Sequence, residues 1–552
     1  MPPVTPTARP RPAQPSKGSQ SVDTAPPRTT AAIPTRHPTI FEPATLALLT
    51  VLCVVGAVIG MQLLVTLGVT ANTSIVGALV AMGLARVPLR AFARYRSIHV
   101  QNLAQSAISA ATFGAGNSLL LPIGIPFLLG RGDLVLPLLG GVAMAMLIDA
   151  TMLYRLFGTR VFPAEGAWPP GVAAAEAIRA GDEGGRRVLI LGGGLAVGIV
   201  GTGFLGIPMS AFGVAFIGNA WALTMFGIGL LLRGYSTQLF SGVLPGGDMA
   251  KAFIPHGIMI GAGLVALVQV GLVVGRRGGA GSDAGPRRDL GLGAAAYLGI
   301  AVLIALGGGI AAELSAGMLV AFVLYAAFAA LVHELIVGLA AMHSGWFPAF
   351  AVALITLIIG MLIGFPPVSL ALLVGFSAAT GPAFADMGYD LKAGFMLRGQ
   401  GTDPAFEADG RWQQYLAAMF AFVVAGVVVL LSYKSYFAQG LVAPVAKVYV
   451  ATINAGATPD VAWQLLLWAV PGALLQFLGG PTRQLGVLFA TGLLILFPAA
   501  GWAVLVGVAC RLVYGRLRGT PAQAEMDVFA GGVIAGDALT GFISGVAANL
   551  RR

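Results

Sequence analysis

Charged side chains are scarce in this sequence of 552 residues. Asp, Glu, Lys and Arg together make up 10% of the chain, whereas 57% of it is hydrophobic. A soluble domain carries about 25% charged residues, so this chain has too few to build a water-facing shell. The composition therefore excludes an ordinary soluble protein and indicates one that folds inside a membrane.

Cysteines and nucleotide-binding motifs are also lacking. The two cysteines, Cys53 and Cys510, both lie in apolar stretches, so there is no disulfide framework and no Cys-based metal site. We expect both to be small buried hydrophobes. No Gly-x-x-x-x-Gly-Lys-Ser/Thr motif occurs, which argues against an ATP-driven pump.

One pair of residues invites an enzyme interpretation. His333-Glu334 begins like the zinc-protease motif His-Glu-x-x-His, but Val337 stands where the second histidine is needed. Because the paired zinc ligands must lie one helical turn apart, we predict no catalytic residue and no metal ligand. An intramembrane enzyme stays an alternative function, as does a passive channel.

Long apolar stretches and glycine are abundant instead. From Pro43 onward, about sixteen apolar segments follow one another with short polar breaks, and some are shorter than the ~20 residues that a membrane-crossing helix needs. The fold class predicted is an all-α polytopic membrane protein with about 14–16 transmembrane helices, some of them broken or re-entrant. The 78 glycines allow close helix approach in lipid, and on lipid-facing helices they favour a homodimer.

The net charge of +10 has a topological explanation. Lys and Arg cluster in the breaks between apolar segments, as expected of cytoplasmic loops, so we predict no nucleic-acid partner. Residues 1–40 are rich in Pro and Arg without an apolar core, which indicates a disordered cytoplasmic tail rather than a signal peptide. We expect an integral protein of the cell (inner) membrane with both termini in the cytoplasm.

An internal repeat divides the chain. Residues 208–216 are echoed by 481–489, and 257–261 by 532–536, in the same order. Repeats of this kind are common in secondary transporters, whose substrate site lies at the repeat interface. The predicted organisation is a first transmembrane half at 41–275, a cytoplasmic linker at 276–289 and a second half at 290–552.

The stretch 364–394 has the most informative polar pattern. A helix break at Gly381-Pro382 is followed by Asp386, Asp390 and Lys392 near the expected bilayer boundary. The two carboxylates are four residues apart and share one face of a helix. They indicate either a substrate or ion path or solvated charges at the start of a cytoplasmic loop.

Further polar residues lie within apolar segments, where each is either a functional group or a structural contact between helices. The candidates for the substrate pathway are Gln101, Asn102, Asn117, Asn219 and His256. The candidates for proton coupling are Asp149, His333, Glu334 and Asp537.

Five segments together resemble the oligopeptide transporter family, and in particular its yellow stripe-like and prokaryotic branches. They are VTANTSIVGAL (69–79), IHVQNLAQSAISA (98–110), FPAEGAWPPGVAAAEAI (162–178), ADMGYDLKAG (385–394) and AGGVIAGDALTG (530–541). The resemblance covers nearly the whole membrane region from about residue 44.

The resemblance implies a secondary active transporter, usually driven by proton symport, with alternating access. Its implied substrates are small peptides, glutathione-like molecules or metal chelates, and no cofactor is implied beyond the proton gradient. It adds Trp168, Pro170 and Gly171, at the centre of the third segment, to the substrate pathway. The Asn-Pro-Gly and Lys-Ile-Pro-Pro-Arg motifs of the eukaryotic peptide branch are absent, which favours the metal-chelate or prokaryotic branch.

Overall fold

The computed structural model describes residues 36–67, 74–88, 90–275, 284–345, 347–456, 459–519 and 522–550. Most of the predicted tail and much of the predicted linker lie outside these ranges. Within them the chain is almost entirely helical, and no named strand occurs. The predicted all-α fold class is therefore confirmed.

The helices follow one another with short connections. The first part of the chain contains α1 Pro43–Leu67, α2 Ser74–Ala85, α3 Ile98–Phe113, α4 Leu121–Leu128, α5 Val135–Leu156, α6 Pro169–Glu183, α7 Gly185–Leu205, α8 Met209–Ile217, α9 Ala220–Gly234, α10 Ser236–Leu239 and α11 Ile254–Gly275. The second part contains α12 Ala284–Gly307, α13 Ile310–Glu313, α14 Ala316–Ser344, α15 Ala349–Ile363, α16 Pro367–Ala379, α17 Pro382–Leu397, α18 Pro404–Ala438, α19 Pro444–Ala455, α20 Pro459–Arg483, α21 Leu485–Leu494, α22 Pro498–Arg518 and α23 Ala522–Leu550. Proline begins eight of these helices, where its missing N–H costs no intrahelical bond.

Ten helical segments of the described residues are long and apolar enough to cross a membrane, and four further apolar helices are shorter. Two of the ten are interrupted near their middle. The segment Ile98–Leu128 joins α3 to α4 through a π-helical turn at Gly114–Leu120, and the segment Pro367–Leu397 joins α16 to α17 across Gly381. In both, 94% of the most apolar window is buried, against 61% or less in the other eight. The interrupted segments therefore form the centre of the molecule.

Helices of the two predicted halves pack against each other in exchanged pairs, α7 with α23 and α11 with α20. A Cβ added at Gly532 would lie 2.1 Å from the Leu191 carbonyl oxygen, and one at Gly261 would lie 1.8 Å from that of Ala469. Both glycines belong to the repeated segments, and both allow backbone-to-backbone contact that any side chain would prevent. The repeat thus marks equivalent helix contacts in the two parts of the chain.

The start of the described chain is packed rather than free. The His37 amide donates to an Asp409 carboxylate oxygen at 3.1 Å, and the Ile40 amide donates to the Gln413 side-chain oxygen at 3.1 Å. Both residues are almost fully buried. Residues 37–40, which composition groups with the tail, therefore belong to the folded unit that extends from His37 onward.

Candidate functional site

The site is organised around the break between α16 and α17. Gly381 has φ +97°, a conformation that L-residues rarely adopt, and Pro382 then begins α17. Every residue of α17 is buried. The predicted break at Gly381-Pro382 is thus present, and it leaves a half-helix enclosed by protein in the middle of a membrane-length segment.

Asp386 and Asp390 project from α17 toward α3. Gln105 Nε2 donates to Asp390 Oδ1 at 2.5 Å, and Ser109 Oγ donates to Asp386 Oδ1 at 2.5 Å. The two aspartates are at most 1% exposed. Solvated charges at the start of a loop, the second interpretation of this pattern, are therefore wrong.

Each of these carboxylates keeps one oxygen without a partner. Asp386 Oδ2 and Asp390 Oδ2 are buried and accept no hydrogen bond from the described residues. On α3, the Asn102 side chain is fully buried, and neither its oxygen nor its nitrogen has a partner there. A buried polar group without a hydrogen bond costs about 1–3 kcal/mol. Asp386 and Asp390 on α17 and Asn102 on α3 carry such groups.

The neighbouring cations are engaged elsewhere. Arg398 donates to both carboxylate oxygens of Glu407, at 2.8 and 3.0 Å, and to the side-chain oxygen of Gln414. Lys392 Nζ donates to the Ala164 carbonyl at 3.0 Å. In the part of the chain that the structure describes, the α17 acid pair therefore lacks a cationic partner.

Trp168 fixes the side of α17 opposite the acids. Its indole is fully buried, and its backbone has φ +39°. A Cβ at Gly388 would lie 2.2 Å from the indole, and one at Gly171 would lie 2.3 Å from the Tyr389 carbonyl oxygen. Pro170 lies beside Gly345. The Trp-Pro-Pro-Gly element therefore supports α17 by close packing.

A second group of buried acids lies at the break itself. Tyr297 Oη is 2.5 Å from Asp149 Oδ1 and 2.6 Å from Glu334 Oε2. The Gly381 amide donates to Asp149 Oδ2 at 2.6 Å. This group joins α5, α12 and α14 to the residue where the α16–α17 segment is interrupted.

Comparison with known proteins identifies the family. Residues 44–276 and 288–548 match the family model described as OPT oligopeptide transporter protein. The chain belongs to the OPT oligopeptide transporter family. No curated protein matches it. The protein is thus an integral membrane transporter of a family whose members are transporters rather than enzymes.

Other predicted residues of this OPT transporter lie apart from the α3–α17 contact. Asn219 caps α9 by accepting from the Trp221 and Ala222 amides, which is the structural role that sequence analysis left open. Asp537 on α23 accepts from Thr202 and Ser210. The remaining candidates of this kind are His256, buried on α11, and Asn117, in the π-helical turn after α3.

Two candidates are held by neighbouring polar groups. Gln101 Nε2 donates to the Tyr95 carbonyl oxygen at 2.9 Å. His333 Nδ1 is 3.1 Å from Ser377 Oγ, so the imidazole faces α16, whereas the adjacent Glu334 faces Tyr297. Adjacent residues on a helix point about 100° apart, which explains why His333 and Glu334 do not act as one pair.

Two important side chains were not predicted from the sequence. Ser109 and Tyr297 are the direct partners of buried acids, yet one is a common small residue and the other a single phenol in an apolar segment. The signal available was weak: Ser109 is four residues after Gln105, and Tyr297 is the one residue with a polar side chain in GLGAAAYLGIAVLIALG.

His37, near the start of the described residues, is buried close to Arg398. Burial and the nearby Arg398 guanidinium lower the pKa of His37 to about 4, although its hydrogen bond to the Pro38 carbonyl opposes this shift.

A cavity of about 640 Å³ is bordered by apolar side chains of α7, α8 and α22, such as Met209 and Trp502. No candidate residue borders it, and the α17 acids are closed off from solvent.

Proposed function

We propose that this OPT transporter is a secondary active transporter that moves small peptide-like solutes or metal chelates across the membrane in symport with protons, by alternating access. One observation carries this proposal: an enclosed half-helix presents Asp386 and Asp390 to the amides and hydroxyls of α3, with one oxygen of each carboxylate unpartnered. Broken helices with unsatisfied polar groups are where transporters bind solutes and ions.

The chemistry of the acid pair favours a solute with a cationic amino group, or protons in its place. Two carboxylates without a neighbouring cation attract positive charge strongly in a medium of low dielectric constant. Asn102, one turn before Gln105 on α3, supplies an amide donor and acceptor for a peptide-like backbone. Gln101, Asn117, Trp168, Pro170, Gly171 and Lys392 are proposed to line or support this pathway, and Asn219 and His256 to border it.

Proton coupling is proposed for the membrane-depth acids, namely Asp149, Glu334 with its neighbour His333, and Asp537. Protonation neutralises a buried carboxylate, so it changes the relative free energies of states that expose that carboxylate to different sides of the membrane. The basic loops favour cytoplasmic termini, and a homodimer stays a prediction.

A two-stage experiment tests the function. First, thermal-shift binding with di- to tetrapeptides, glutathione and metal-chelator complexes identifies a solute, because a ligand that binds only the folded state raises the melting temperature. Second, proteoliposomes measure uptake of that solute with and without an imposed inward proton gradient. We expect uptake to increase with the gradient.

Variants separate binding from general damage. Asp386→Asn and Asp390→Asn should lose binding and uptake, whereas Asp133→Asn, at an exposed aspartate, should behave as wild type. If uptake does not depend on the proton gradient and persists when both α17 acids are neutralised, the proposal is refuted.

A further inference from the structure

The hydroxyl of Tyr297 lies between two carboxyl groups, and its proton can serve only one of them. Its oxygen is 2.5 Å from Asp149 Oδ1 and 2.6 Å from Glu334 Oε2. All three side chains are fully buried. Among the described residues, no ion pair involves Asp149 or Glu334. We call these three side chains the buried triad.

A count of hydrogen-bond donors shows that the triad needs one more proton. A phenol has one O–H, and an ionised carboxylate only accepts hydrogen bonds. If both acids were ionised, one carboxylate oxygen would face a phenol lone pair at hydrogen-bond distance. That contact would be repulsive, and it would place two negative charges in a dry interior.

The other contacts show which acid carries the proton. Asp149 accepts from the Gly381 amide through Oδ2 and from Tyr297 through Oδ1, so both of its oxygens are satisfied as an anion. Glu334 Oε1 has no partner, which costs less for a neutral carboxylic acid than for a carboxylate. Glu334 therefore donates to the Tyr297 oxygen, and Tyr297 donates to Asp149.

We propose that the buried triad is the proton-holding site of this protein, with one proton on Glu334, the negative charge on Asp149, and Tyr297 as the relay between them. Asp149 comes from the first part of the chain, while Tyr297 and Glu334 come from the second. The site thus also joins the two parts at the helix break.

Other ionisable groups do not account for this arrangement. Those on helices packed around the triad include His333 and His343 on α14, Asp386, Asp390 and Lys392 on α17, Glu407, Asp409, Arg411 and Lys434 on α18, and His256 on α11, with Glu176, Arg179, Asp182 and Glu183 on α6, Arg233 on α9 and Glu313 on α13. In the described ranges, no hydrogen bond or ion pair joins any of them to the triad. Arg155 and Asp289, at the ends of α5 and α12, pair with each other.

The proton relay moves the negative charge from one carboxyl group to the other without forming a charged tyrosine. When the Glu334 O–H bond breaks, its proton passes to the Tyr297 oxygen while the phenolic proton passes to Asp149. Tyr297 stays neutral, and the negative charge moves from Asp149 to Glu334. The Gly381 N–H then donates to a neutral acid instead of a carboxylate, and such a bond is roughly half as strong.

This weakening acts where the backbone is already unusual. Gly381 has φ +97° and directly precedes the half-helix that carries Asp386 and Asp390. The position of the proton is thereby linked to the geometry of the helix break. This link to solute movement rests on the proposed transport function, whereas the proton count does not.

Infrared spectroscopy of the purified full-length protein tests the proton count without any solute. A protonated carboxylic acid has a C=O stretching band that shifts in D₂O, and we expect Glu334→Gln to remove one such band. Asp149→Asn should keep it. Glu313→Gln, at an exposed glutamate, is the matched control and should also keep it.

A second variant guards against misfolding of Glu334→Gln. Tyr297→Phe removes the hydrogen-bond partner of the acid, so the same band should shift to higher frequency. A band lost in Asp149→Asn and kept in Glu334→Gln would overturn the assignment. So would spectra that none of the three triad variants alters.

Uptake measurements separate this inference from the proposed function. In proteoliposomes, Glu334→Gln should make uptake of the identified solute independent of the pH gradient, while Glu313→Gln leaves the dependence intact. If the infrared result holds but the uptake of Glu334→Gln still follows the gradient, the triad holds a proton that does not drive transport. That outcome overturns the link to the helix break and leaves the proton count standing.

Discussion

Gly388→Ala is a demanding test of how α17 is supported. Gly388 lies between the two acids of α17, and a Cβ there would be 2.2, 2.4 and 2.7 Å from the Cζ3, Cη2 and Cε3 atoms of Trp168. Carbon atoms in contact normally lie about 3.5–4.0 Å apart. Relief of the closest contact therefore requires a shift of about 1.3 Å, the difference between 3.5 and 2.2 Å.

The indole has little freedom to make this shift. It is fully buried, and its ring packs at centroid distances of 6.1 Å from Phe162 and 6.0 Å from Tyr389. Extra atoms in a packed interior cost about 1–3 kcal/mol. We expect Gly388→Ala to lose that much stability, seen as a lower melting temperature of the detergent-purified protein.

Two further variants make the result decisive. Gly140→Ala adds the same methyl group to an exposed helical glycine whose Cβ would meet nothing within 4 Å, and it should be neutral or stabilising by about 0.5–1 kcal/mol. Trp168→Phe removes the ring atoms that clash, so the double variant should lose less stability than the sum of the single losses. A melting temperature of Gly388→Ala equal to that of wild type, or strictly additive losses, would refute the packing argument.

Two other predictions concern the buried Arg398–Glu407 pair and His37, which lies close to Arg398. Glu407→Gln leaves the fully buried Arg398 without its anion and should cost about 3–5 kcal/mol of stability, measured as a lower melting temperature. Asp133→Asn, at an exposed ion pair, should leave the melting temperature nearly unchanged. Equal shifts of the two melting temperatures would contradict the prediction. Because the pKa of His37 is lowered from 6.5 to about 4 in the folded protein, the stability gained by burying its neutral ring is complete above pH 6.5 and declines as the pH falls through 4. The protection factor of the Ile40 amide, which corrects hydrogen exchange for the intrinsic effect of pH, should fall between pH 6.5 and 4 in wild type but not in His37→Phe, and a constant protection factor in wild type would contradict the prediction.

The proposed function places a requirement on the transport cycle. Asp386 and Asp390 are buried and hydrogen-bonded to α3, so we propose that a solute reaches them only after a conformational change opens their surroundings. The hydrogen bonds from Gln105 and Ser109 are among those that we expect to break. Alternating access thus becomes a concrete proposal about one helix contact.

Local features of the fold were legible in the sequence. The break at Gly381 follows from a glycine that tolerates positive φ and a proline that lacks an amide proton, and both are properties of the residues themselves. The repeated glycines, such as Gly261 and Gly532, likewise marked places of close helix approach. Family membership was also legible, because the motifs occur in order along the chain.

The contacts of the buried side chains were harder to predict from the sequence. The burial of Asp386 and Asp390 was only one of two readings, since a charged pair after a break also suits a loop. The importance of Tyr297 was missed, because its partners are Asp149 and Glu334, far away in the chain.

The sequence by itself determined that lipid is the solvent, that the chain is helical and where a central helix breaks, because hydrophobicity and backbone preference are carried by each residue and its neighbours. Only the tertiary structure decided which groups meet. Whether Asp149 faces a phenol or Asp386 faces Ser109 depends on the rotation and register of helices that pack together from distant parts of the chain. Inside a membrane no water is available to hydrogen-bond a polar group, so these side-chain contacts decide where protons and charge are held.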